Sequence, residues 1–311
     1  MSTLWAFPGQ GAQQPGMLHQ LPDEPSVRAC LAEASAALGE DVLALDSIQA
    51  LASTRAVQLC LLIAGVACAR LLAQRGHRPD YVAGLSIGAY AAAVTAESLE
   101  FTDAVRLVAL RGELMQAAYP SGYGMTAILG LDLGQVERLI AQVHGPAQPV
   151  YLANINAESQ VVVAGSVAGM TALAERARAA GAGAAKPLAV SVPSHCELLA
   201  APAERLARAF AKVEVRRPGV RYLSGSSARL IVDADKLRDD LAYNMCRVVD
   251  WHSTLQTAVE RGVRLHLEMP PGAVLSGLAR RVFGAGAVVA FQGTRLDSLD
   301  ALLSQAQGLD R

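Results

Sequence analysis

Aromatic residues are scarce in this chain: five Phe, seven Tyr and two Trp make up 5% of 311 residues. Hydrophobic residues still reach 52%, so the core must be built mostly from Ala, Leu and Val. An excess of charge of one sign is also missing. A total of 27 Lys and Arg against 28 Asp and Glu leaves a formal net charge of −1, and the pI is 6.6. Such a balance argues against a polyanion-binding surface, and neither a nucleic-acid nor a membrane partner is expected. Any anionic ligand has to be met by a local group of cations.

Paired cysteine spacing is absent. Cys30, Cys60, Cys68, Cys196 and Cys246 are odd in number and form no CxxC, which predicts reduced thiols, no structural zinc and a cytoplasmic setting. The opening residues MSTLWAFPGQG show no basic segment followed by an apolar one, so no secretion signal is expected. The most apolar stretch, 57–76, is interrupted by Arg70 and is read as a buried helix too short to span a membrane. Nucleotide motifs are missing as well. No GxxxxGK[ST] occurs, Gln14 stands where a GxGxxG fingerprint beginning at Gly9 needs Gly, and Pro15 delays any helix.

What is present alternates between strand and helix. TLWAF (3–7) reads as a buried strand followed by the loop PGQGAQQPG, with helical patterns near 25–38 and 55–75. YVAGL (81–85) is a second short strand that runs straight into helical SIGAYAAAVTA. Thr102 is placed to cap the next helix, which stops at Pro120. This order predicts an α/β fold with a mostly parallel sheet covered on both faces. The texture changes near residue 122, where β-α-β-β-α-β follows, the order of a ferredoxin-like unit. The expected organisation is an inserted small domain at 123–191 within a discontinuous catalytic domain of 1–122 and 192–311.

The chemistry centres on GLSIG, residues 84–88. At ordinary Gly and Ser frequencies of about 7%, a Gly-x-Ser-x-Gly arises by chance in roughly one chain in ten of this length. Here a strand precedes it and a helix follows, the setting of a nucleophile elbow that exposes Ser86 above a sheet. The competing reading is a tight bend of small residues. A serine nucleophile needs a base. His77 and His144 lie in polar, loop-like surroundings, and His266 alternates within the strand VRLHLEM. His195, in VPSHC, reads as the first turn of a helix, where the dipole disfavours imidazolium and keeps the ring a neutral base. Decoration of a helix start is its alternative role. Cys196 beside it is a rival nucleophile, but that position reads as buried.

Arg111 stands out because its neighbours three, four and seven positions away are all apolar: Ala104, Leu107, Val108, Leu114, Met115 and Ala118. Arg106, by contrast, shares a face with Thr102, Asp103 and Glu113. An inward guanidinium cannot shed its charge and needs an anion or several acceptors. Either an internal carboxylate pairs with Arg111, or it clamps a substrate carboxylate bidentately. The Gly9–Gly11 loop at the end of the first strand can bring a backbone N–H close to Ser86 as an oxyanion donor.

Six stretches, FPGQGAQ, GLSIGAY, RLVALRGELMQ, NINAESQVVVAG, VPSHC and PPGAVLSGLARR, occur in the order seen in malonyl-CoA:acyl-carrier-protein transacylases, and the chain resembles that family over essentially its whole length. The resemblance implies an α/β-hydrolase-like large domain carrying a ferredoxin-like small domain. It implies Ser86 as acylated nucleophile, His195 as base and Arg111 as the malonyl-carboxylate ligand. Gln10 and Ile87 match the backbone oxyanion donors, and Asn244 matches the residue whose carbonyl orients the histidine. The partners implied are malonyl-CoA and an acyl carrier protein bearing a thiol prosthetic group, with no cofactor beyond these.

Two positions depart from the GHSxGE elbow usual in fatty-acid synthesis: Leu85 and Ala89. The GLSIGAYAAAV variant, with GYGM at 122–125, is most similar to the epsilon subunit of malonate decarboxylase. That similarity implies a malonyl-loading subunit whose carrier thiol belongs to a phosphoribosyl-dephospho-CoA group. The alternative is a transacylase of fatty acid or polyketide synthesis. Two further readings stand beside these. An esterase would share Ser86 and His195, with an acid among Asp103, Asp132 and Glu175. A non-catalytic carrier-docking subunit would fit the missing elbow glutamate.

Overall fold

Residues 1–308 are described in a computed structural model. The first strand, β1 (Ser2–Phe7), is buried along all but its first residue, as its unbroken apolar run requires of a strand covered on both faces. It lies inside a six-stranded sheet with β2 (Tyr81–Gly84), β7 (Arg221–Leu223), β8 (Leu230–Ile231), β10 (Val263–Glu268) and β11 (Ala287–Ala290), in the order β11-β10-β1-β2-β7-β8. Every neighbouring pair is parallel except β7 and β8. Phe7 stands opposite Gly84 in the β1–β2 register, so the loop after β1 and the turn after β2 leave the sheet side by side. That juxtaposition at the C-terminal edge of a parallel sheet is where such folds place their chemistry.

The second sheet is built from β3 (Tyr123–Leu129), β4 (Val150–Ala157), β5 (Gln160–Ser166), β6 (Ala184–Pro187) and β9 (Val249–Asp250), in the order β6-β3-β5-β4-β9. Helices Leu133–Val143 and Val167–Ala179 complete a β-α-β-β-α-β run through residue 187. Alternation along β5 sorts its side chains by face. Val161 and Val163 pack under the two helices, while Val162 and Ala164 turn toward the main core. β9, from outside 123–191, adds a fifth strand parallel to β4 and ties this sheet to the rest of the chain.

Helix Thr54–Gln74 is long and apolar enough to cross a membrane by length and composition, which corrects the shorter sequence estimate, and 89% of its most apolar window is buried inside the fold. A helix apolar on all sides needs cover on all sides; this one packs against helices Pro25–Leu38, Gly88–Thr95 and Phe101–Ala118. The last of these begins one residue before Thr102, because buried Phe101 anchors its first turn, and no side chain caps it. One histidine differs from expectation. His77 is buried, with Nε2 3.1 Å from an Asp300 oxygen. His266 is wholly buried, and burial pushes its pKa down to about 3.

Candidate active site

The elbow explains its glycines by contact. A Cβ on Gly88 would sit 2.1 Å from the Phe7 carbonyl oxygen, and one on Gly84 would sit 2.0 Å from the Gly88 carbonyl carbon. Only hydrogen fits in either place, so strand β2 can turn into helix Gly88–Thr95 within four residues. Ser86 between them holds φ at 56°, a left-handed conformation that costs about 1–3 kcal/mol for a residue with a side chain. The neighbouring departures are apolar. Leu85 packs against Gly9, and Ala89 is buried.

His195 reaches Ser86 from across the fold. Its Nε2 lies 2.8 Å from Ser86 Oγ, and its Nδ1 lies 2.8 Å from the Asn244 carbonyl oxygen and 3.2 Å from that of Arg247. Both Nδ1 partners only accept, so Nδ1 carries the proton and Nε2 is left to accept from the serine hydroxyl. Among the described residues no carboxylate takes part; Asp103, Asp132 and Glu175 do not supply the histidine's partner.

The helical reading of His195 is corrected. The residue has φ 65° in a turn, and the following 3₁₀ turn starts only at Glu197, with the α-helix at Ala200. Its backbone N–H is held instead by the Met245 carbonyl at 2.7 Å. Burial, not a helix dipole, keeps the ring neutral: it lowers the pKa to about 4, and the Arg111 charge adds to the effect. Cys196 is buried, donates to the Pro193 carbonyl, and has its thiol pushed up to about 12 by desolvation. That is the opposite of a nucleophile's environment.

Arg111 is fully buried, and among the described residues no carboxylate pairs with it. Its Nη2 donates to Asn244 Oδ1 at 3.0 Å and approaches Ser86 Oγ at 3.5 Å, while Nε and Nη1 have no partner. An internal ion pair therefore does not account for its inward position. A buried cation with open donors beside a serine oxygen is poised for an anionic substrate group. Arg106, on the other face, is exposed and meets Asp103, as read from the sequence.

The backbone N–H groups of Gln10 and Ile87 have no hydrogen-bond partner among the described residues. They flank the serine from the loop after β1 and from the elbow itself, where an oxyanion would need them. A cavity of about 330 Å³ opens over Ser86 and His195 between the two sheets. The polar residues on its wall that the sequence reading does not single out include Gln58, Asn154 and Asn156. Each keeps a side-chain oxygen without a partner. Gln58 interrupts the apolar VQLCLLIAG, and the Asn pair is spaced by two along a strand, so both signals were available.

The neutral base has a pH consequence. With His195 as the base, the deprotonated ring is the working form, and kcat/KM for a thioester substrate should be level from about pH 8 down to about pH 5, then fall about tenfold per unit below the pKa near 4. A steady-state pH profile showing a midpoint at the unperturbed value near 6.5 would contradict this electrostatic account.

This geometry suits nucleophilic acyl chemistry, and comparison with known proteins narrows it. The acyl transferase domain family matches residues 4–291. The malonyl CoA-acyl carrier protein transacylase of Salmonella typhimurium is 39% identical over 284 residues, covering 89% of this chain and 92% of that protein. The Bacillus subtilis transacylase of the same name is 34% identical over 281 residues, covering 89% of each. Among solved structures, FabD from Acinetobacter baumannii matches with a TM-score of 0.92 at 37% identity over 99% of both chains. A malonyl-transacylase solved with the type II PKS acyl-carrier protein AntF matches with a TM-score of 0.91 at 36% identity, over 98% of this chain and 100% of that one. The chain belongs to the acyltransferase domain family, among the malonyl-CoA:acyl-carrier-protein transacylases.

Proposed function

We propose that the protein moves a malonyl group from malonyl-CoA to the thiol of an acyl carrier protein through an ester on Ser86. The observation that carries this is the convergence on one oxygen: His195 Nε2 at 2.8 Å and the unpaired Arg111 guanidinium at 3.5 Å from Ser86 Oγ. Ser86 attacks the thioester carbonyl as His195 takes its proton. The resulting oxyanion is held by the N–H groups of Gln10 and Ile87, each worth about 10²–10³-fold in rate. The C–S bond breaks, and the CoA sulfur leaves with the proton from His195. A carrier thiol then gives its proton to His195, attacks the ester, and departs as the malonyl thioester with Ser86 restored. Arg111 holds the malonyl carboxylate throughout, and no step calls for a metal or redox cofactor.

In this reading the six-stranded sheet belongs to an α/β-hydrolase-like body of residues 1–122 and 192–311. The first four strands of the second sheet belong to a ferredoxin-like unit of 123–191 that walls the cavity, with β9 added from the larger body. A cytoplasmic location goes with the same reading. For the carrier, the names of the transacylases and structures above favour an acyl carrier protein of fatty acid or polyketide synthesis. The GLSIGAY elbow and the GYGM at 122–125 favour a second reading, loading of the malonate decarboxylase carrier.

Single-turnover transfer from pre-formed malonyl-enzyme separates the two. The first reading expects a phosphopantetheinyl acyl carrier protein to discharge the enzyme at least about tenfold faster than a carrier bearing the phosphoribosyl-dephospho-CoA group. The reverse order would establish the decarboxylase reading. Transfer to water faster than to either thiol would mean an esterase.

A further inference from the structure

Asn244 is joined to three parts of the site at once. Its carbonyl oxygen accepts from His195 Nδ1 at 2.8 Å. Its side-chain Oδ1 accepts from Arg111 Nη2 at 3.0 Å, and its Nδ2 donates to the Ser86 carbonyl at 3.0 Å. Arginine can only donate and a backbone carbonyl can only accept, so these two neighbours leave the carboxamide one orientation. The residue is buried at the start of the 3₁₀ turn Asn244–Cys246, on a segment that also holds the His195 N–H through Met245.

We infer that the Asn244 carboxamide is a positioning group that fixes the Arg111 guanidinium relative to the elbow and so sets the preference for a carboxylated acyl group. The inference deepens the malonyl-transfer reading and rests on it. Among the described residues Arg111 has, besides Asn244, only the long contact to Ser86 Oγ and the Tyr90 ring 6.0 Å away, and its Nε and Nη1 are free. Without Oδ1 the guanidinium would be held by the Tyr90 ring and packing. With it, one Nη2 hydrogen is committed to Asn244, the plane of the fork is set, and Nε and Nη1 stay open for the substrate. The link to the Ser86 carbonyl keeps that fork in register with the left-handed elbow. The two functions of Asn244 are separable, because any substitution retains the backbone carbonyl that serves His195.

The test compares Asn244→Ala and Asn244→Asp with the parent, using malonyl-CoA and acetyl-CoA as paired substrates and thermal melts to confirm folding. Loss of a hydrogen bond to a charged group predicts that Asn244→Ala loses about 10–100-fold in kcat/KM for malonyl-CoA. Acetyl-CoA, which does not use Arg111, should change less than about threefold. Asn244→Asp places a carboxylate against Arg111. It should compete with the substrate, raising KM for malonyl-CoA, and it should offset the field on His195, moving the acid limb of kcat/KM to higher pH. A parallel loss for both substrates with an unmoved acid limb would show a merely structural residue and overturn the inference. Failure of the underlying reading looks different: the parent itself would form no malonyl ester.

Discussion

Ser86→Ala should lower kcat for malonyl transfer by at least about 10⁴-fold, with KM for malonyl-CoA changed by no more than a few-fold. The size follows from the role. Removing the nucleophile abolishes the covalent route, and the residual rate comes only from bound thiols meeting near the oxyanion donors. Binding should survive because Arg111 and the rest of the cavity lining stay in place when one serine oxygen is removed. Folding should survive too. The left-handed φ of 56° at Ser86 is strained for either residue, and the alanine fills the same space minus one oxygen. Stopped-flow release of CoA read beside a binding isotherm separates the two quantities. A variant that keeps more than about one hundredth of the parent rate would mean that another group attacks the thioester.

The second large effect belongs to Arg111. Arg111→Met should cost about 10²–10³-fold in kcat/KM for malonyl-CoA, the scale seen when one partner of a desolvated charge pair is removed. Acetyl-CoA should lose little or gain, because the empty guanidinium no longer disfavours an uncharged acyl group. Stability should move the other way. Arg111 is wholly buried, burial lowers its pKa, and two of its nitrogens lack partners. A methionine of similar length removes two orphaned donors and a buried charge and leaves one acceptor, Asn244 Oδ1, without its donor, so on balance the thermal midpoint should equal or exceed that of the parent. A variant with unchanged malonyl-to-acetyl preference would remove Arg111 from substrate recognition. One that is strongly destabilised would show that the guanidinium's bond to Asn244 outweighs the cost of burying its charge.

The sequence was most informative where geometry is local. Gly84 and Gly88 flank a backbone crossing too tight for any Cβ, and such steric requirements leave a spacing that can be read directly. Arg111 was legible for a similar reason, since helical periodicity places it among apolar neighbours whatever the tertiary structure. The β-α-β-β-α-β order of 123–187 also follows from period and turn residues. Its fifth strand does not, because β9 is two residues long and pairs with β4 from about a hundred positions away.

His195 shows the limit most clearly. Its identity was readable in VPSHC, but the reason for its neutrality was assigned to a helix start that does not exist there. The ring is neutral because the fold buries it beside Arg111, and burial depends on residues far apart in the chain. Asn244 is the extreme case. Its backbone carbonyl was assigned only through family resemblance, and its side chain carries no local pattern. Its partners at positions 86, 111 and 195 meet only in three dimensions.

A malonyl ester on Ser86 would be caught by intact mass spectrometry after mixing purified protein with malonyl-CoA, without acceptor. One malonyl adduct per chain is expected, located on the peptide containing Ser86 and missing from Ser86→Ala. A folded protein that gains no adduct and releases no CoA, or one that carries the adduct elsewhere, would contradict an ester on Ser86.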